Sequence, residues 1–137
     1  MTALMFALSV VLIVIGGVHV TWALGLWWPL RDEDRMVRAV VGTRGATRMP
    51  GPIPCALVAV ILMFAAAWPW FLAGWIRTTG LALATLGFGL RGVMPWFPGW
   101  RRLTPQEPFA TYDRRYYGPL CLALAAGFLI LFAKALA

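Results

Sequence analysis

The charged residues of this chain gather into two clusters, and the long gaps between them constrain the fold more than any motif does. Stretches free of Asp, Glu, Lys and Arg run over residues 1–30, 49–76, 78–90 and 116–133, and the third continues past the single Arg91 through residues 92–100. A helix that crosses a bilayer needs about 20 mostly apolar residues. Lipid supplies no hydrogen-bond partners, so a spanning segment must satisfy its own backbone as a helix or in a closed barrel. Alternation of period two is absent, which excludes the barrel. Composition agrees: 61% of residues are hydrophobic and 12% charged, against about 25% charged in soluble domains. A disulfide scaffold, a disordered tail and a secreted soluble enzyme are excluded on the same ground.

The expected fold is therefore all-α: one integral-membrane domain over residues 1–137, a bundle of four helices at about 2–28, 54–75, 79–97 and 117–136. The first hydrophobic run lacks the basic flank of a cleavable leader and is expected to remain as a helix. The loop after the first helix carries Arg31, Arg35, Arg38, Arg44 and Arg48, and the loop after the third carries Arg101, Arg102, Arg114 and Arg115. The other side has Arg77, in a tight turn, and Lys134. The positive-inside bias then places both long loops in the cytoplasm and both termini outside, in a cytoplasmic membrane. The net charge of +7 is explained by anionic headgroups and requires no nucleic acid. Trp27, Trp28, Trp96 and Trp100, with Arg114 and Arg115, are the expected interfacial anchors.

Each half of the chain repeats a pattern. Trp27-Trp28-Pro29 precedes a basic loop and Gly51-Pro52, while Trp96-Phe97-Pro98 precedes a basic loop and Gly118-Pro119. Two parallel two-helix repeats would produce this, and so would ordinary helix punctuation. Asp32-Glu33-Asp34 ahead of Met36, Val37, Val40 and Val41 predicts a short amphipathic helix lying at the membrane interface, closed by Gly42. Thr104-Pro105-Gln106-Glu107 has the spacing of a capping box. Gly17, Thr21 and Gly25, then Gly80 and Ala84, then Ala123 and Gly127, form small-residue stripes suited to close helix packing.

Few side chains could carry chemistry. His19 is the only histidine; it is either a hydrogen-bonded imidazole within the bundle or part of a site, and Trp22 shares its face. Arg91 lies inside a spanning segment, where it is a snorkelling anchor, the partner of a carboxylate or a ligand clamp. Asp113 is the carboxylate best placed to pair with it. Cys55 and Cys121 read as small buried hydrophobes rather than a redox pair. No catalytic residue, metal site or cofactor is expected, because no triad, phosphate loop, ligand spacing or second histidine exists.

The stretches His19-Val20-Thr21-Trp22-Ala23-Leu24-Gly25 and Phe109-Ala110-Thr111-Tyr112-Asp113-Arg114-Arg115-Tyr116-Tyr117-Gly118-Pro119-Leu120-Cys121, with Arg91 between them, resemble a bacterial family of short four-helix membrane proteins, domain of unknown function 3995. The likeness covers nearly the whole chain. Leu26-Trp27 departs from the second glycine that often follows the first stretch. The resemblance implies the fold and a set of polar positions but no activity.

The candidate ligand-binding residues are thus His19, Trp22, Arg91, Asp113 and Tyr117, rimmed by Tyr112, Tyr116 and Trp96. The first functional expectation is a non-enzymatic protein whose polar pocket near the cytoplasmic leaflet binds a lipid or an amphipathic or anionic small molecule. The second is an accessory subunit, or a homo-oligomer, in a larger membrane complex. The third is a small transporter or membrane enzyme that uses His19 as a proton carrier.

Overall fold

The computed structural model describes residues 1–71 and 73–137. Helix α1 covers Thr2–Ala23, α2 Glu33–Val40, α3 Pro52–Phe71, α4 Gly74–Val93, α5 Pro98–Leu103, α6 Phe109–Tyr112 and α7 Gly118–Leu136. A 3-10 turn at Met94–Trp96 links α4 to α5, and a π turn at Asp113–Tyr117 joins α6 to α7. No β-strand occurs among the described residues. Three helical segments are long and apolar enough to cross a membrane: Thr2–Ala23, Pro52–Trp70 and Phe109–Leu136. Helix α4 matches α3 in length, at 20 residues each, but carries Arg77 and Arg91 near its ends.

Packing follows the two halves of the chain. Helix α1 runs along α3 and α4 along α7, while α3 touches α4, and α1 touches α7, more sparingly. Leu8, Leu12, Leu62, Ala66, Leu81, Leu124, Phe128 and Leu131 form a core drawn from all four long helices, with Phe88 stacked on Phe128 at 5.7 Å between ring centroids. Gly127 receives the side chain of Leu8, and Gly92 that of Leu122. At the other end, Met36, Val37 and Met49 form a second cluster with Trp22 and Trp27.

Several boundaries differ from the sequence expectation. The first helix ends at Ala23, not at residue 28, because Gly25 adopts φ +74°. The Gly25 N–H donates to the Trp22 carbonyl at 3.0 Å and the Leu26 N–H to that of Thr21 at 2.8 Å, the paired bonds of a Schellman stop. Gly25 is therefore a terminator and not part of a packing stripe. Nothing lies within 4 Å of a Cβ built on Gly17, whereas Gly16 faces Met63. The expected second helix runs past Leu72, which lies outside the described residues. Trp75 and Arg77 belong to the first turns of α4, not to a turn before it. The third helix stops at Val93, and Pro98, at the first position of α5, starts a further helix. The fourth is helical from Phe109 onward rather than from residue 117. Thr104 caps the end of α5, donating from Oγ1 to the Trp100 carbonyl at 2.8 Å, and does not open a capping box. Helix α2 starts as expected, with Asp32 accepting from the Arg35 N–H at 2.8 Å. Its apolar face is covered by the protein, however, with Met36 and Val37 each 1% exposed, so it does not lie free for an interface. Gly42 accommodates the Phe109 ring instead of closing α2.

Candidate ligand-binding cavity

Asp113 organises the polar end of the molecule. It sits on the π turn, whose wider winding rotates the side chains relative to a continuous α-helix, and it is completely buried. Arg91, in the last turn of α4 where a cation meets the negative end of the helix dipole, donates from Nη2 to Asp113 Oδ1 at 2.7 Å. Arg101 on α5 donates from Nη2 to Oδ2 at 2.6 Å, and Trp100 donates from Nε1 to the same oxygen at 2.8 Å. Arg101 is committed further, to the Ala110 carbonyl at 3.1 Å and Thr104 Oγ1 at 3.0 Å. The Arg91 guanidinium also lies over the Trp100 ring, 5.6 Å from its centroid. One carboxylate thus neutralises one of two guanidiniums, and the cluster keeps a net positive charge. Nη1 of Arg91 has no partner among the described residues.

His19 approaches the same region from α1. Its Nδ1 lies 2.8 Å from the Ile15 carbonyl, which can only accept, so the proton resides on Nδ1 in the neutral ring. Trp22 packs on His19 with centroids 4.8 Å apart and donates from Nε1 to the Trp28 carbonyl at 2.9 Å. Tyr117 donates its hydroxyl to the Ala39 carbonyl at 2.9 Å, tying α2 to the base of α7. The Gln106 N–H donates to the Gly42 carbonyl at 3.1 Å, so the two long loops close over one end of the helices together.

Lined chiefly by α3 and α4 lies a cavity of about 770 Å³. Val58, Ile61, Leu62 and Ala65 of α3 form one wall and Gly80, Leu83, Ala84, Gly87 and Phe88 of α4 the other. Trp68 closes the far end, its indole seated on Gly80. His19, Trp22, Arg91, Tyr117 and Cys121 line the near end, with Val40 and Phe109 beside them. The walls are almost wholly hydrocarbon and the polar groups converge at one end, an arrangement that can hold an apolar body by contact and a negatively charged head by hydrogen bonds.

Of the five residues expected at a site, His19, Trp22, Arg91 and Tyr117 line this cavity, and Asp113 stands behind Arg91 as its ion-pair partner. The sequence places Arg101 only among the basic loop residues and not at the site, since nothing there shows that α5 folds back onto Asp113. Trp100, expected as an interfacial anchor, spends its N–H on Asp113. Trp28 and Trp96 are about half exposed, and Trp27 packs into the second cluster. Arg114 donates from Nε to the Pro95 carbonyl at 3.3 Å and Arg115 stacks over Tyr116. Cys121 and Phe109 join the lining only through tertiary structure. No group of three His, Cys, Asp or Glu that could hold a metal occurs among the described residues.

No curated protein matches the chain, and no solved structure matches it. A family model does match, over residues 12–128, a span that includes every residue of the cavity and of the Asp113 cluster. The chain therefore belongs to the family described as Protein of unknown function (DUF3995).

Proposed function

We propose that this chain is a four-helix membrane protein, without enzymatic activity of its own, that holds an amphipathic molecule between its two helix pairs near the cytoplasmic leaflet. The observation that carries the reading is the cavity of about 770 Å³, hydrocarbon along its length and cationic at one end. Ligand sites fall in the range of about 300–1,000 Å³ and combine apolar walls with a few placed polar groups. Membrane lipids are the natural partners. Phe6, Ile13, Phe64, Leu86 and Leu129 are more than half exposed, a surface suited to acyl chains rather than water. Helix α4 acts as the fourth span. An arginine at the centre of a spanning helix costs roughly 3 kcal/mol on insertion scales, and the pairing of Arg91 with Asp113 near the helix end offsets that cost.

In this reading the loops that close over the cavity face the cytoplasm and both termini face outward, because the arginines crowd the loop end. The reading is tested by native mass spectrometry of protein released gently from its own membrane. Wild type is expected to retain an amphiphile. Gly87→Leu, which projects into open space because a Cβ there meets nothing within 4 Å, is expected to lose it, and Arg91→Ala to hold it less well. Retention unchanged in both variants overturns the reading. Stoichiometric copurification with a larger complex, and no amphiphile, would instead identify an accessory subunit.

A further inference from the structure

We infer that the occupant is a straight-chain amphiphile with one compact, singly charged acid head, a long-chain carboxylate being the simplest, and that it reaches the cavity sideways between α3 and α4. The inference rests on the amphiphile reading above and adds the chemistry of head, tail and route.

The head follows from charge. Two guanidiniums share the Asp113 carboxylate, so the cluster lacks one negative charge. Arg101 is 13% exposed and does not line the cavity, whereas Arg91 is 34% exposed and does. Arg91 is thus the group that meets a ligand, and a guanidinium pairs strongly with an oxyanion such as a carboxylate or a phosphate. His19 supplies no donor for an anion, because its Nδ1–H is committed to the Ile15 carbonyl and Nε2 of the neutral ring only accepts, so the charge that meets the head is that of Arg91. The head must also be small. Val40, Phe109 and Tyr117 stand over this end of the cavity, and they offer little to the hydroxyl or amine of an elaborate headgroup. The Tyr117 hydroxyl is already given to Ala39.

The tail follows from length. From Arg91 to Gly80, α4 rises about 16 Å, close to half the roughly 30 Å thickness of a bilayer's hydrocarbon core. Trp68 on Gly80 stops the groove there. The route follows from exposure: Ile61 and Leu83 line the cavity yet are 65% and 64% exposed. They are the lips of an opening that faces away from the bundle, on the side that lipid would occupy.

The test uses the full chain, stripped of bound lipid in neutral detergent, and native mass spectrometry with hexadecanoate, hexadecanol and a phosphatidylglycerol at equal concentrations. Hexadecanoate is expected to bind one-to-one and about tenfold or more tighter than hexadecanol, the worth of one charge-assisted hydrogen bond. Arg91→Gln should erase that preference and Gly87→Leu should weaken both single-chain ligands. Because Gly87→Leu leaves the charged cluster intact and raises helix propensity, its effect is separable from misfolding. Equal binding of hexadecanol overturns the charge argument, and preference for the phosphatidylglycerol overturns the compact head. Either result leaves the amphiphile site standing. Failure to bind any of the three, or binding indifferent to Gly87→Leu, overturns the site as well.

Discussion

Replacing Asp113 by asparagine removes one charge from the centre of the polar cluster while preserving its shape. The carboxylate is completely buried and accepts from Arg91, Arg101 and Trp100 at 2.7, 2.6 and 2.8 Å. An asparagine amide can accept through its single oxygen but directs its NH₂ at the other donors, so one guanidinium faces a donor instead of an acceptor. Removing one member of a buried ion pair costs about 3–5 kcal/mol. The lower part of that range applies here, since Arg91 is 34% exposed and can turn toward the cavity mouth. About 3 kcal/mol is expected. The two arginines should not be equivalent: Arg101→Gln removes bonds to Asp113, Ala110 and Thr104, whereas Arg91→Gln removes only the bond to Asp113, so the first should cost more. Asp113→Asn combined with Arg101→Gln should cost less than the sum of the singles by about 1–3 kcal/mol, as expected for groups in one network. The assay is an equilibrium titration from neutral detergent into dodecyl sulfate, read by far-UV circular dichroism. If Asp113→Asn lies within about 0.5 kcal/mol of wild type, or if the double variant is additive, the carboxylate does not organise this end of the molecule.

Two further substitutions test the parts that frame the cavity. Tyr117→Phe deletes the hydroxyl that bonds the Ala39 carbonyl and should cost about 1 kcal/mol. Amide exchange should accelerate across Glu33–Val40 while α3 stays protected; unchanged exchange in that segment would show that the hydroxyl does not hold α2 down. Gly25→Ala forces a Cβ into φ +74° at a cost of about 1–2 kcal/mol, whereas Gly17→Ala, which meets nothing within 4 Å, should be neutral or slightly stabilising in the same titration. Equal losses at both positions would restore the packing stripe and remove the terminator.

The four long helices are legible because charge is sparse along them: α1 and α3 carry none, and Arg77, Arg91 and Lys134 lie near the ends of α4 and α7. The Arg91–Asp113 pair was legible by elimination, since few acids lie outside the first loop. What could not be read depends on backbone choices made by tertiary contact. Gly25 and Gly17 share a face only if the helix continues between and beyond them, and a glycine four residues along looks the same in sequence whether it packs or stops a helix. The π turn inserts extra winding between Tyr112 and Gly118, which aims Asp113 at two arginines from different elements; no spacing rule for an α-helix places Arg101 and Trp100 on that carboxylate. Thr104 has the residue type of an N-cap and serves the helix before it, because Pro98 had already started α5.

The cavity has no signature of its own, yet its origin can be traced to one stripe of α4. Gly80, Ala84 and Gly87 follow the spacing that lets two helices approach closely, and at each position the partner decides the result. At Gly80 the notch is filled by the Trp68 indole, which also donates to the Arg77 carbonyl at 3.3 Å. A ring of that size fixes the separation of α3 from α4 instead of allowing backbones to meet. Ala84 packs against the shared core. At Gly87 nothing lies within 4 Å of where a Cβ would stand. The same small residues therefore make a socket at one end and a smooth floor at the other, and the floor leads to Arg91. A stripe selected for close packing alone would have been met by small residues on α3. Opposite it, beside Ala65, stand Val58, Ile61, Leu62 and Trp68, larger side chains that keep the groove open.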